Sequence, residues 1–116
     1  MRDYRKLEVF NLADALALRV YECTRVLPEE ERYGLTSQLR RAAVSIGTNI
    51  VEGAARTSHS EFARFLVVAY ASACELTYEL SLAERLGYLR NAEDVRELAA
   101  RTCKALRSLI LKVRQR

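Results

Sequence analysis

The sequence contains few of the residue combinations that catalyse reactions. Its only histidine, His59, lies between two serines in a short polar segment. We expect it to be exposed there, without the orienting partner and nucleophile that a general base needs. Glu-x-x-His pairs, which hold di-iron sites in helical bundles, are absent, as are Walker-type phosphate loops and the HExxH and GxSxG motifs. We therefore expect no enzymatic activity, no metal and no cofactor.

The three cysteines lack the spacing of a cross-link or a zinc site. Cys23, Cys74 and Cys103 are odd in number, far apart and outside any CxxC pair. A free cysteine behaves as a small and often buried hydrophobic residue. We expect reduced, mostly packed thiols in a cytoplasmic protein.

Positive charge is concentrated at the end of the chain. The segment from Leu98 onwards carries +6 and no acid, although the whole chain carries only +4. Its basic residues are Arg101, Lys104, Arg107, Lys112, Arg114 and Arg116. One interpretation is a helix end whose dipole favours cations. The other is a phosphate-binding patch, in which the absence of aromatic residues predicts binding that is largely independent of base sequence.

A polar row accompanies the apolar residues of the second predicted helix. Its members recur at intervals of three or four and share one helix face: Gln38, Arg41, Ser45, Asn49 and Glu52. A solvated face explains this row, but short and amide side chains also suit a confined polar contact. The third predicted helix offers partners in Ser72, Glu75 and Glu79. We hypothesise that Glu75 or Glu79 neutralises Arg41 across a helix or subunit contact, because a buried guanidinium cannot lose its charge.

Helices must position these residues, because the composition leaves little room for a sheet fold. Four Gly and one Pro among 116 residues are too few for the many turns of a β-sandwich or barrel. Leu, Ala, Arg and Glu, which favour helices, are abundant. We predict an all-α fold in which residues 1–116 form a single domain around one core.

Apolar spacing places two helices in the first half of the chain. The first has its apolar row from Val9 to Leu27 and is stopped by Pro28. The second begins near residues 33–36 and ends where Gly53 would supply a left-handed C-cap.

Two further helices follow in the second half. A capping box of Ser58 and Glu61 begins the third helix, and Gly87 ends it. Asn91 is the predicted cap of the fourth helix, with Asp94 at its third position. Four amphipathic helices joined by short loops predict an antiparallel, up-down-up-down four-helix bundle.

The third predicted helix is apolar on more than one face. Val67, Val68, Ala71 and Cys74 lie outside its core row. Because large apolar patches are uncommon on monomers, this surplus predicts a contact between subunits.

We expect no membrane association and no export signal. The longest apolar stretch, residues 65–71, is far shorter than the roughly 20 residues of a membrane span. Charged residues interrupt the N-terminal segment where the apolar core of a secretory signal would lie.

A long pattern in the sequence resembles a known family. Residues 31–46 read ERYGLTSQLRRAAVSI, and residues 49–53 read NIVEG, followed by Arg56. Further matching positions are LEVF at 7–10, Tyr21, Pro28, EFARFL at 61–66, Ser72 and Glu75. The chain is similar over nearly its whole length to the bacterial four-helix-bundle proteins whose genes were first noticed inside intervening sequences of large-subunit ribosomal RNA.

This resemblance implies an antiparallel bundle assembled as a homopentameric ring without established enzymatic activity. It also implies a more distant relation to the accessory variability proteins of diversity-generating retroelements, which are basic pentameric bundles that bind nucleic acid and partner a reverse transcriptase. The signature positions carried onto this chain suit a contact or structural role at least as well as a ligand site. They are Gln38, Arg41, Ser45, Asn49, Glu52 and Gly53.

Two positions depart from the family pattern. Gly47 stands where members usually have proline, so no proline kink is expected, although glycine still weakens the helix. Ala71 replaces a usual glycine and adds a methyl group where helices approach closely.

These features favour a non-enzymatic, oligomeric helical bundle that serves as a nucleic-acid-associated accessory or adaptor protein. Its expected partners are RNA or DNA, bound by the basic C-terminal helix, and a protein such as a reverse transcriptase. The alternative is a protein-interaction scaffold that does not bind nucleic acid. A steep fall of nucleic-acid affinity with salt would distinguish the first function from the second.

Overall fold

The computed structural model describes residues 2–115 and contains four α-helices. They are α1 (Glu8–Cys23), α2 (Leu35–Ala54), α3 (His59–Arg85) and α4 (Glu93–Arg114). Short 3-10 turns cover Tyr4–Lys6, Thr24–Val26 and Glu29–Glu31. The described residues include no strand, which confirms the all-α class with four helices.

The boundaries of α3 are set by its own sequence. The Ser58 hydroxyl accepts a hydrogen bond from the backbone N–H of Glu61 at 3.1 Å, so the predicted capping interaction is present. After the helix ends, Gly87 has a φ of 81°, a conformation that glycine adopts without the strain a Cβ would cause.

Helix α1 ends earlier than the sequence predicts. Its last α-helical residue is Cys23, four residues before Leu27. The Thr24 hydroxyl donates to the carbonyl oxygen of Val20 at 2.7 Å, and the chain tightens into a 3-10 turn over residues 24–26. Leu27 is still buried in the core, so it continues the apolar row of α1 although it lies beyond the end of the helix.

The predicted cap of α4 is wrong. Ala92 occupies the N-cap position and makes no side-chain cap bond, while Asn91 has a φ of 54° in the preceding turn. Asparagine tolerates this left-handed conformation, so Asn91 belongs to the turn and not to the cap. The Asp94 carboxylate accepts a hydrogen bond from Arg19 Nη2 of α1 at 2.6 Å.

Gly53 also has a different role from the predicted left-handed C-cap. Helix α2 continues through it to Ala54. A Cβ placed on Gly53 would lie 2.8 Å from Cβ of Phe65 and 3.2 Å from Cδ1 of Phe62. Glycine is required there because α2 and α3 approach each other closely, not because the backbone turns.

One apolar core joins the four helices. Its fully buried large side chains are Leu16, Leu39, Ile46, Ile50, Leu66, Leu76, Leu80 and Leu106. Helix α1 packs against α2 and α4, and α3 packs against the same two helices from the other side. Each such aliphatic side chain contributes roughly 1.5–3 kcal/mol on burial, which makes this core the main source of stability.

Helix α3 is the described helix that is long and apolar enough, by length and composition alone, to cross a membrane. Its most apolar 18-residue window has a mean hydropathy of 1.2, and 44% of that window is buried inside the bundle. This combination is typical of a core helix, so it is weak evidence for a membrane span.

The outer face of α3 is apolar, as the sequence predicts. Val67, Val68 and Tyr78 are 37%, 44% and 60% exposed, respectively, and Ala71 and Cys74 are exposed beside them. None of these five side chains belongs to the core of the chain. We call this surface the α3 face.

Candidate functional site: a polar seam and a basic α4 surface

The polar row of α2 meets α3 at its centre, through Ser45, whereas Glu52 at its far end lines a depression between α1 and α2. Together the two helices form what we call the polar seam, which consists of Gln38, Arg41, Ser45, Asn49, Glu52, Ser72, Glu75 and Glu79. The hydroxyl groups of Ser45 and Ser72 lie 2.9 Å apart and form a hydrogen bond between the helices. Asn49 Nδ2 donates to the carbonyl oxygen of Ser45 at 2.8 Å and to its hydroxyl at 3.1 Å. The centre of the seam is therefore a hydrogen-bonded contact rather than a solvated face.

The outer part of the seam is open to solvent. Gln38, Arg41, Glu52 and Glu75 are exposed. The Arg41 guanidinium donates to Gln38 Oε1 at 2.6 Å, and none of the ion pairs among residues 2–115 includes Arg41. Neutralisation of Arg41 within the chain is thus not observed, because an exposed guanidinium is solvated by water and needs no carboxylate partner.

Glu79 is the unusual member of the seam. Its side chain is only 7% exposed, and its Oε1 atom has no hydrogen-bond partner among the described residues. The pKa of Glu79 is raised to about 7, chiefly by burial and next by the charge of Glu75, while the positive charge of Arg41 opposes the shift. A donor or cation supplied from outside the chain would satisfy this buried oxygen.

The basic residues of α4 do not form a single patch. Arg101, Lys104 and Lys112 line an open groove of about 520 Å³ between α1 and α4, which we call the basic groove. Arg107 lies on the other side of α4, towards α3. There the pKa of Tyr70 is raised, chiefly by a hydrogen bond with the Cys74 thiol, and the charge of Arg107 opposes this rise.

The two remaining basic residues of this segment are Arg114 and Arg116. Arg114 follows Arg107 by seven residues and so projects from the same side of α4. Arg116 lies outside the described residues. All five described cations of this segment are exposed, and none of the ion pairs among residues 2–115 includes any of them.

The basic groove is lined by apolar and hydroxyl-bearing side chains as well as charged ones. Leu12 of α1 and Leu109 of α4 supply apolar surface, and Ser108 supplies a hydroxyl group. Glu8 is the one carboxylate among its lining residues. Lys112 also lies in the last turn of α4, where the helix dipole favours cations. This arrangement attracts anions and offers no group placed for proton transfer or nucleophilic attack.

The residues most often used in catalysis are dispersed. The His59 ring is exposed, and its Nδ1 atom accepts a hydrogen bond from Arg2 at 2.9 Å. Cys23 and Cys103 are half-buried free thiols, and burial raises the pKa of both. Cys74 is also free but exposed on the α3 face, so two of the three thiols are packed, in agreement with the expectation of mostly packed thiols. No group of three or more His, Cys, Asp or Glu side chains within residues 2–115 could hold a metal ion.

The fold and these surfaces define a small four-helix-bundle protein with exposed basic residues on α4. The chain belongs to the 23S rRNA-intervening sequence protein family, whose model matches residues 5–110. The resemblance found in the sequence is therefore confirmed. No curated protein matches the chain.

A crystal structure from Bacteroides thetaiotaomicron is similar to the whole bundle. It is described as a protein with unknown function from the S23 ribosomal protein family. The two chains share 28% sequence identity and superimpose with a TM-score of 0.81, over 88% of this chain and 97% of that one. Family and neighbour agree on the fold, and neither is a known enzyme.

Proposed function

We propose that this protein is a non-enzymatic, cytoplasmic accessory or adaptor protein that binds RNA or DNA through the basic surface of α4. The observation that carries the proposal is the set of five exposed cations on α4, none of which takes part in an ion pair among residues 2–115. Cations that are not neutralised within the chain are available to replace the counterions of a nucleic-acid backbone.

The distribution of these cations favours binding to phosphates rather than to bases. Three of them line an open groove, and two project from the other side of the helix. No aromatic side chain lines the basic groove, so it offers no platform for stacking a base. Binding through this surface would be weak for one copy and largely independent of sequence.

We further propose that the chain is an up-down-up-down bundle that assembles into a homopentameric ring, as the family resemblance implies. The exposed α3 face and the unpartnered oxygen of Glu79 support a subunit contact at this side of the bundle. Arg41 of one copy would then neutralise Glu75 or Glu79 of the next. Five copies of the basic surface would bind one strand much more tightly than one copy, through effective concentration.

A second candidate function is a scaffold that binds a protein instead of nucleic acid. The α3 face favours it, because an exposed apolar patch is typical of a protein contact. A protein partner such as a reverse transcriptase is compatible both with this scaffold and with the nucleic-acid-binding accessory protein. Co-purification of one protein that persists at high salt, without any binding of nucleic acid, would favour the scaffold.

The test is binding of nuclease-treated protein to labelled structured RNA and single-stranded DNA over a range of salt concentrations. The comparison variant replaces Arg107, Lys112 and Arg114 by Gln. We expect micromolar or tighter binding at low salt, a clear dependence on salt and a marked loss in the variant. Absence of binding even at low salt would contradict the proposed function.

A further inference from the structure

A second groove on the bundle combines arginine side chains with exposed tyrosine rings. It has a volume of about 680 Å³ and lies against the end of α1, the turn before α2, and α2 as far as Asn49. We call it the tyrosine groove and define it by Tyr21, Arg32, Tyr33, Arg40 and Arg41. Hydroxyl and amide groups complete it, and none of its described lining residues is a carboxylate.

Two of the arginines are already held beside the rings. Arg40 Nε donates to the Thr24 hydroxyl at 2.9 Å, and its guanidinium carbon lies 4.6 Å from the centre of the Tyr21 ring. The Arg32 guanidinium lies 5.4 Å from the centre of the Tyr33 ring. Cation–π contacts of this kind fix charge and ring together, so less side-chain freedom is lost when a ligand binds.

The rings are placed for a ligand rather than for the core. Tyr33 is 87% exposed and Tyr21 is 42% exposed. An exposed tyrosine contributes little to folding, yet its face can stack on a planar group. The basic groove lacks such rings, so the two grooves offer different chemistry to the same kind of polymer.

The charges around the tyrosine groove indicate in which direction its ligand extends. Beyond one end, Arg25, Arg32 and Arg40 line a depression in which Glu29 is the one carboxylate. Beyond Thr48 at the other end, a depression between α1 and α2 is lined by Asp14 and Glu52. The carboxylates beyond Thr48 would repel a polyanion, so a strand would leave the groove at the end of Arg25.

We propose that the tyrosine groove binds unpaired nucleotides of single-stranded RNA or DNA. Bases stack on Tyr33 and Tyr21, and the phosphates lie against Arg32 and Arg40. A duplex is disfavoured because its bases are already stacked on one another. This inference rests on the proposed function, which supplies nucleic acid as the class of partner. The basic surface of α4 would attract the phosphate backbone, and the tyrosine groove would bind the bases.

The test compares two exposed apolar side chains. Tyr33→Ala removes a ring from the groove, whereas Leu86→Ala removes a side chain that is 52% exposed and belongs to neither groove nor to the α3 face. Tyr33→Phe keeps the stacking surface. The probes are fluorescent single strands of about 12 nucleotides, one RNA and one DNA, and an abasic strand of equal length and charge.

We expect Tyr33→Ala to weaken binding of the base-containing strands about ten-fold at every salt concentration. The salt dependence should not change, because no charge is removed. Tyr33→Phe and Leu86→Ala should bind like the wild type, and Tyr33→Ala and the wild type should bind the abasic strand equally. Arg32→Gln should weaken binding of all strands and make the salt dependence shallower. Equal melting temperatures of the variants verify that they are folded.

Two results would overturn the inference: equal binding of base-containing strands by Tyr33→Ala and the wild type, or an equal loss with the abasic strand. The second result would mean that the Tyr33 ring does not act by stacking on bases but by positioning the Arg32 guanidinium, which lies 5.4 Å from the ring centre. The proposed function fails in a different way. In that case, replacing Arg107, Lys112 and Arg114 leaves binding unchanged while Tyr33→Ala still weakens it.

Discussion

The α2–α3 contact and the α1–α4 contact show two opposite ways in which helices pack in this bundle. Across the first, a glycine allows close approach, a serine pair is hydrogen-bonded at 2.9 Å, and a glutamate is 7% exposed. Across the second, an open groove of about 520 Å³ separates exposed cations from α1, and Arg19 and Asp94 form a surface ion pair. The close α2–α3 contact stabilises the bundle, whereas the open α1–α4 contact leaves the cations of α4 available to bind a ligand.

The largest effect on this comparison is expected from Gly53→Ala. The added Cβ would lie 2.8 Å from Cβ of Phe65, so α2 and α3 would have to move apart. Overpacking of this kind destabilises a protein by about 1–3 kcal/mol. Urea denaturation should show this decrease in the free energy of unfolding. An unchanged midpoint would mean that the α2–α3 contact is as loose as the α1–α4 contact.

Glu79→Gln should be the next largest change. The pKa of Glu79 is raised to about 7 in the folded protein, from an ordinary value of 4.5. The folded chain therefore binds more protons than the unfolded chain between these values, and the wild type loses stability as the pH rises from about 4.5 to about 7. The glutamine variant lacks this loss and should be more stable at pH 8 by about 1–2 kcal/mol.

Thermal melting of wild type and Glu79→Gln at pH 5 and pH 8 measures this difference. Glu97→Gln, at an exposed position of α4, is the control. If Arg41 of another copy neutralises Glu79, the assembled protein should respond less to pH than the dissociated protein. Identical pH dependence of the wild type and Glu79→Gln would contradict the assignment of the shift to this residue.

Gly47→Ala should produce a smaller effect of opposite sign to Gly53→Ala. Gly47 lies in the same helix, but a Cβ there would have no neighbour within 4 Å. Alanine is favoured over glycine in a helix interior by about 0.5–1 kcal/mol, so the variant should unfold at higher urea concentration. A destabilised Gly47→Ala would show that the difference between the two glycines does not come from packing.

Arg19→Gln should have the smallest effect. It breaks the 2.6 Å pair with Asp94, in which the side chains are 34% and 60% exposed. Surface pairs of this kind contribute about 0.2–1 kcal/mol and weaken with salt. We expect a small decrease in melting temperature at low salt that disappears at high salt. A large decrease that persists at high salt would mean that the α1–α4 contact is more than an open surface.

The sequence predicts the features of this bundle that depend on neighbouring residues. The start of α3 at the Ser58–Glu61 cap and its end before Gly87 follow from residues within one turn. The apolar outer face of α3 follows from helical spacing alone. Asn91 fails as a cap prediction because a turn can use the same residue in a left-handed conformation.

Features that join distant parts of the chain could not be predicted in this way. The role of Gly53 depends on the position of Phe65 across a helix pair, and the basic groove depends on Leu12 of α1. Spacing along α4 could have separated Arg107 from Lys104, but only the packed bundle shows which side faces α1. The adjacent Arg32 and Tyr33 were the one available signal for the tyrosine groove, whose remaining members come from α1 and α2.

The most direct test of the central claim is a comparison of two variants with equal changes in charge. One replaces Arg101, Lys104 and Lys112 of the basic groove by Gln, and the other replaces the exposed Arg64, Arg85 and Arg90. Binding to labelled single-stranded RNA is measured over a salt series. We predict a loss of about ten-fold or more and a clearly shallower salt dependence in the groove variant only. Equal losses in both variants would contradict a binding surface on α4, because net charge alone would then explain the affinity.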